Sequence, residues 1–229
     1  MRSGANFALC SFTYSLPSLY TKGMKQPDNL QPDINFLFEM GNIRYIDRFW
    51  RRFYHKDLSN VAEHHFRVFW IAMVIASREQ AAGQQVDLGK IAQMVLVHDI
   101  TESRTGEVDY ISRQYTERKE EMAIDDMLEG TSIEEHFRAV WDEYEKRESL
   151  EAKIAKDADN LDVDFELAEQ AAEGSSLQST WREMRQKVAD TKLFTESAKQ
   201  LAKELPLVQP HDWHTYSKRN RHNAGDWRK

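Results

Sequence analysis

Apolar residues recur along this chain at intervals of three and four. That spacing lines one face of an α-helix, and the alternation of a half-buried strand stands out nowhere. After Pro27 and Pro32 the first helical stretch carries Ile34, Leu37, Phe38, Ile43, Ile46 and Phe49, with Gly41 placed to break or kink it. Ser59 or Asn60 caps a second helix with the inward stripe Val61, His64, Val68, Ala72 and Ile75; this phase rotates His65 away from the core. Gly83 ends that helix. Asp87 caps a third, in which Ile91, Met94, Val95 and His98 share a face.

Two amphipathic helices follow, one around Met122–Leu128 and one opened by a capping box from Ser132 to Glu135. A longer helix is lined by Ile154, Ala158, Leu161 and Phe165, and one or two closing helices precede Pro206 and Pro210. The pattern predicts an all-α chain without internal repeats.

A chain of 229 residues can bury one core and still carry an extension. The net charge of −7 argues against non-specific duplex binding, so no nucleic-acid partner is expected. Positive charge gathers only near the C-terminus. A lone cysteine, Cys10, excludes an internal disulfide framework and fits a reducing, cytoplasmic setting. The longest apolar run, Phe69 to Ala76, is too short to span a bilayer, so no membrane partner is expected. Residues 1–30 read as a flexible extension rather than a secretory signal, with Met24 an alternative start. Residues 206–229 read as an extension packed on the domain by its tryptophans.

Within this frame His98 and Asp99 form an adjacent imidazole and carboxylate where an apolar helix meets a polar segment. His64 points inward on its own helix. A single inward histidine is usually a hydrogen-bonded core residue; two on different helices, one beside an aspartate, favour a metal site. Glu102 follows Asp99 by three residues, about one helical turn, and can reach the same place. The run Asp157, Asp159, Asp162, Asp164 is not a calcium loop, since it lacks the glycine and the closing glutamate. Four acids on a helix are usually solvated. Asp159 differs in lying at the edge of the apolar stripe, where a metal would remove the cost of burying it. Arg48, Arg51 and Arg52 beside Trp50 read either as helix-end cations or as an anion clamp.

Three segments, NVAEHHFRV (Asn60 to Val68), MVLVHDITESRTGEV (Met94 to Val108) and KIAKDADNLD (Lys153 to Asp162), resemble the HD-domain superfamily of metal-dependent phosphohydrolases, in its 5′-deoxynucleotidase-like branch. The resemblance implies a single HD-domain helical bundle over residues 31–205, with a C-terminal extension. It implies His64, His98, Asp99 and Asp159 as metal ligands, and Glu102 and Glu107 as catalytic carboxylates. Glu107 stands where the branch usually has the shorter aspartate. Arg48 and Trp50 are the nearest substrate-binding candidates, at a spacing unlike the family's.

The donor set suits Mn²⁺, Co²⁺, Fe²⁺, Mg²⁺ or Zn²⁺. The expected activity is hydrolysis of a 5′-(deoxy)nucleoside monophosphate or a similar small phosphate ester, in a homodimer. The alternatives are a di-iron HD-type oxygenase, which needs further histidines, and a non-catalytic HD scaffold.

Overall fold

The computed structural model describes residues 29–53 and 58–215. The readings of the N-terminal extension up to residue 28, of Met24 as a start and of the tail beyond residue 215 lie outside the described residues. Among the described residues the chain is helical throughout, and β-pairing is confined to one isolated bridge between Asp47 and Asn60.

Two long helices, α2 (Val61–Ala81) and α7 (Leu150–Ala172), form the centre. Helix α3 (Leu88–Val97) packs on both, the short α4 (Glu102–Thr105) and α5 (Glu120–Leu128) follow it, and α6 (Glu134–Lys146) covers α3 and α7. Each central helix starts where its sequence can satisfy the orphan N–H groups of a first turn. Asn60 accepts from the Glu63 N–H while Glu63 accepts from the Asn60 N–H, a complete capping box. The Asp87 and Ser149 side chains cap α3 and α7 by accepting from the Lys90 and Ala152 N–H groups. Gly83, at φ 94°, turns the chain out of α2 in a conformation that side chains resist. Burying Val61, Val68, Ala72, Ile75, Ile91 and Leu161 completely in one cluster holds these helices together.

The first helical stretch is shorter than its spacing predicts. Helix α1 ends at Met40 (Gln31–Met40), and residues 43–52 form two 3₁₀ turns joined by extended backbone. Long-range bonds draw this segment out of a helix. The Val61 N–H donates to Ile46 O, the Arg48 N–H to Ser59 O and the Phe49 N–H to a Glu107 carboxylate oxygen. The inward face of α1 also differs: Phe36 and Met40 pack on the core, while Leu37 and Phe38 are 68% and 75% exposed.

The capping box at Ser132 does not form. Helix α6 begins after Ile133 without a side-chain cap, and the Ser132 N–H donates to Asp33 instead.

Three closing helices replace the expected one or two: α8 (Leu177–Thr180), α9 (Arg182–Thr191) and α10 (Glu196–Glu204). The break before α10 has a clear cause. The buried Asp157 carboxylate accepts from the Phe194 and Thr195 N–H groups and from the Thr195 hydroxyl, all at 2.7–2.8 Å. Beyond α10, Trp213 is 76% exposed, so it does not fasten the tail.

Asp157→Ala would leave the buried Thr195 N–H and the part-buried Phe194 N–H without an acceptor. It is expected to lower unfolding stability by about 2–4 kcal/mol in urea titration, judged from the worth of hydrogen bonds to charged groups.

Candidate metal centre

The fold brings His64 from α2, His98 and Asp99 from the end of α3, and Asp159 from α7 to one place. One ligand-type atom from each lies within 4.8 Å of the others. His64 Nε2 is 3.3 Å from Asp159 Oδ1 and 3.6 Å from Asp99 Oδ2; His98 Nε2 is 3.2 Å from Asp99 Oδ2.

The partners of the other ring nitrogens decide what these atoms offer. His98 Nδ1 lies 2.8 Å from the Val95 carbonyl, which can only accept, so Nδ1 carries the proton. His64 Nδ1 lies 2.6 Å from Asp162 Oδ2 and is likewise held as a donor. Neutral imidazoles so fixed turn two Nε2 lone pairs toward each other at 3.3 Å, between two carboxylates. Four electron-pair donors converging on one point demand a cation. This is the donor set of a divalent metal site with positions left over.

A proton on His64 is the competing cation. Burial and Arg48 push the His64 pKa down, but hydrogen bonds with Asp159, Asp162 and Asp99 outweigh them and raise it to about 10. Burial raises Asp99 and Asp159 as well. The histidines around Asp99, and Lys156 and His64 around Asp159, nevertheless hold both carboxyls well below the usual range.

Glu102 is 4% exposed and lines the same cavity, which measures about 520 Å³. Its Oε1 accepts from Arg118 at 3.1 Å, and its Oε2 is buried without a partner. Burial, with Asp99 and Glu107 nearby, raises its pKa to about 9 against the pull of Arg48 and Arg118. Arg48 and Trp50 also line this cavity, both largely buried. Trp50 packs on Trp181 at 4.4 Å between ring centroids and anchors an aromatic side cluster.

Glu107 is occupied differently from Glu102. One carboxylate oxygen pairs with Arg48 at 3.1 Å and the other accepts the Phe49 N–H. It fastens the Arg48 segment to the cavity wall.

Three features escape a reading of the sequence. Asp162, taken there for one of a solvated run, is 2% exposed. It orients His64 and is itself held by Arg67 Nε at 2.5 Å. Its signal was the i+3 spacing from Asp159, which keeps both on one face of α7. His65 is buried too, with its ring 4.4 Å from His98, and burial and His98 lower its pKa well below normal. Tyr144, whose ring meets that of His98 at 5.8 Å, and Arg147 also line the cavity; Tyr144 continues the helical spacing of Val140 and Trp141, whereas no spacing marked Arg147, which lies beyond α6.

A model of the HD domain matches residues 40–208, and the chain belongs to the HD-domain family. Among curated relatives, 5′-deoxynucleotidase HDDC2 of Dictyostelium discoideum is 31% identical over 112 residues, 45% of this chain and 58% of that protein. The human HDDC2 is 26% identical over 115 residues, 48% of this chain and 53% of that protein. The chain thus matches a little over half the length of these relatives. Solved structures share the fold. A conserved hypothetical protein from Pyrococcus furiosus has a TM-score of 0.63 at 22% identity, over 76% of this chain and 99% of that one. An HD-domain phosphohydrolase from Listeria innocua has a TM-score of 0.58 at 21% identity, over 76% of this chain and 88% of that one.

His64 and Glu102 both bind a proton more tightly in the folded chain than in the unfolded one. The metal-free protein therefore loses the stability due to His64 as pH climbs from about 6.5 through about 10, and that due to Glu102 from about 4.5 through about 9. A divalent ion competes with these protons. The rise in Tm caused by Mn²⁺ over a chelator control is expected to be larger at pH 8.5 than at pH 6, by thermal-shift assay. An equal rise at both pH values would contradict the assignment.

Proposed function

We propose that this chain is a metal-dependent phosphomonoesterase acting on 5′-(deoxy)nucleoside monophosphates or closely related phosphate esters. His64, His98, Asp99 and Asp159 hold a single divalent ion from the set Mn²⁺, Co²⁺, Fe²⁺, Mg²⁺ and Zn²⁺. The observation that carries the reading is one shared cavity. In it, four converging electron-pair donors stand beside a buried carboxylate with an unpartnered oxygen and beside several arginines. The HDDC2 relatives, named as 5′-deoxynucleotidases, support the nucleotide choice. So does the half-exposed ring of Tyr110 on the cavity wall, which offers a face to a base.

A bound divalent ion supplies charge neutralisation at the phosphoryl oxygens and acidifies water. The chain's residues do the rest. Arg48, held in place by Glu107, presents its guanidinium to the phosphate. Glu102 Oε2 accepts a proton from the attacking water, and Arg118 keeps that carboxylate aimed at the cavity. The raised pKa of Glu102 makes it a strong base once a divalent charge nearby favours its ionised form.

Two rival readings find less support. His136, the histidine between the HD pair and Asp159, is exposed and hydrogen-bonded to Gln93, away from the cluster; this favours one metal ion over a di-iron pair. A scaffold has no use for the buried unpartnered oxygen of Glu102.

The homodimer is part of the same proposal. On the outer face of α2, Phe66, Trp70 and Val74 are exposed at a spacing of four and offer an apolar stripe. Light scattering on the eluted protein is expected to give twice the chain mass.

The activity is tested with Mn²⁺- or Co²⁺-loaded protein against a panel of nucleoside monophosphates. Phosphate release is expected, and Glu102→Gln should lower kcat by about 10²-fold or more while leaving bound metal unchanged, the scale of losing a positioned general base. No release from any substrate, with Asp99→Ala indistinguishable from the unaltered chain, would end the proposal.

A further inference from the structure

We propose that Arg147 is a specificity residue of this cavity, whose guanidinium receives a second anionic group of the substrate, apart from the phosphoryl group at the His64, His98, Asp99 and Asp159 cluster. The inference rests on the phosphomonoesterase reading for the first group. Within that class it favours esters that carry a further phosphate or carboxylate over those with one anionic group.

The backbone gives the first reason. Arg147 follows the last residue of α6 and sits at φ 54°, ψ 27°. It is the one non-glycine with positive φ among the described residues. Glycine is the usual occupant of such a helix stop, because any Cβ there meets a steric penalty. Ending α6 therefore does not account for an arginine.

The side chain gives the second reason. The guanidinium carbon lies 3.3 Å from the centroid of the Tyr144 ring, and that ring meets the His98 ring edge-on at 5.8 Å. Arg147 thus stands one aromatic ring away from a ligand histidine, on the wall of the same cavity. Stacking fixes the plane of the guanidinium. Nη2 donates to Glu145 at 3.2 Å, and Nη1 is buried without a partner.

The third reason is what the other cavity cations are doing. Arg48 is paired with Glu107, Arg118 with Glu102 and Glu120, Lys156 with Asp159, and Arg185 with Asp164. Arg113 is exposed and gives its Nε to the Val108 carbonyl. Arg147 is ion-paired as well, with Glu145 through Nη2, but among these cations it alone combines a stacked guanidinium, a buried Nη1 without a partner and a place beside the metal cluster. A rigid fork of N–H donors matches the geometry of phosphate and carboxylate oxygens. Tyr144 stands between this fork and His98, so the anion it meets is a different one from the group at the cluster.

Arg147→Gly tests the idea without endangering the fold, because it relieves the positive φ. Its Tm is expected to equal or exceed that of the unaltered chain. The probes are adenosine 5′-monophosphate, with one anionic group, and adenosine 3′,5′-bisphosphate, with two. With Mn²⁺-loaded unaltered protein the KM for the bisphosphate should lie at least tenfold below that for the monophosphate. Arg147→Gly should abolish that ratio, chiefly by raising the bisphosphate KM, and Arg147→Lys should restore it only in part. Independently of turnover, the bisphosphate in the presence of chelator should raise the Tm of the unaltered chain and not that of Arg147→Gly.

Equal KM values in the unaltered chain, a ratio that survives the substitution, or a thermal shift indifferent to it would each overturn the proposal. A lowered Tm with the ratio intact would overturn it too and assign Arg147 to the fold. If neither probe is hydrolysed, the thermal shift decides whether Arg147 binds the second anion, and the nucleoside monophosphate panel decides the phosphomonoesterase reading separately.

Discussion

The hydrogen bond from His64 to Asp162 is the interaction on which the centre depends. It joins the two long helices at their crossing, buried on both sides, and it fixes which nitrogen of His64 faces the cluster. Arg67 anchors Asp162 from the same helix as His64 and reaches on to Glu166 and Glu169. A charged relay of this kind is costly to bury unless every member is satisfied. Here each charge has a partner, so the pair can sit at the heart of an apolar bundle and hold a tautomer.

Everything nearer the cavity inherits that rigidity. His98 is held by its own helix through the Val95 carbonyl, and Asp99 follows it by one residue. Asp159 is placed by α7, the helix that carries Asp162. The segment with Arg48 and Trp50 is held from outside instead, by backbone bonds to Ser59 and by the Glu107 carboxylate. Of the clustered side chains, His64 and Asp159 thus come from the long helices and His98 and Asp99 from the turn that ends α3, while Arg48 and Trp50 come from a segment between helices. This division lets one scaffold keep its chemistry while the walls vary.

The charges in the cavity are balanced pairwise, and the exceptions are informative. Glu102 has one unpartnered buried oxygen and Arg147 one unpartnered buried nitrogen, and both residues line the same cavity. Buried polar atoms without partners are uncommon in folded proteins. Here one is a hydrogen-bond acceptor and the other a donor.

Much of this was legible in the sequence. Helical periodicity set the all-α class, the caps at Asn60 and Asp87 set where the helices start, and the inward phase of His64 and His98 with Asp99 and Asp159 set the cluster, because those features are local and repeat within a few turns. Other parts were decided by contacts distant in sequence. The segment at Arg48 left the helix its spacing predicts because Ser59 and Glu107 compete for its backbone. Asp157 left the surface to bind the loop before α10, and Asp162 left it to hold His64. A helical wheel says which face a side chain occupies. It cannot say which partner, tens of residues away, will meet it there, and for a buried charge the partner decides everything.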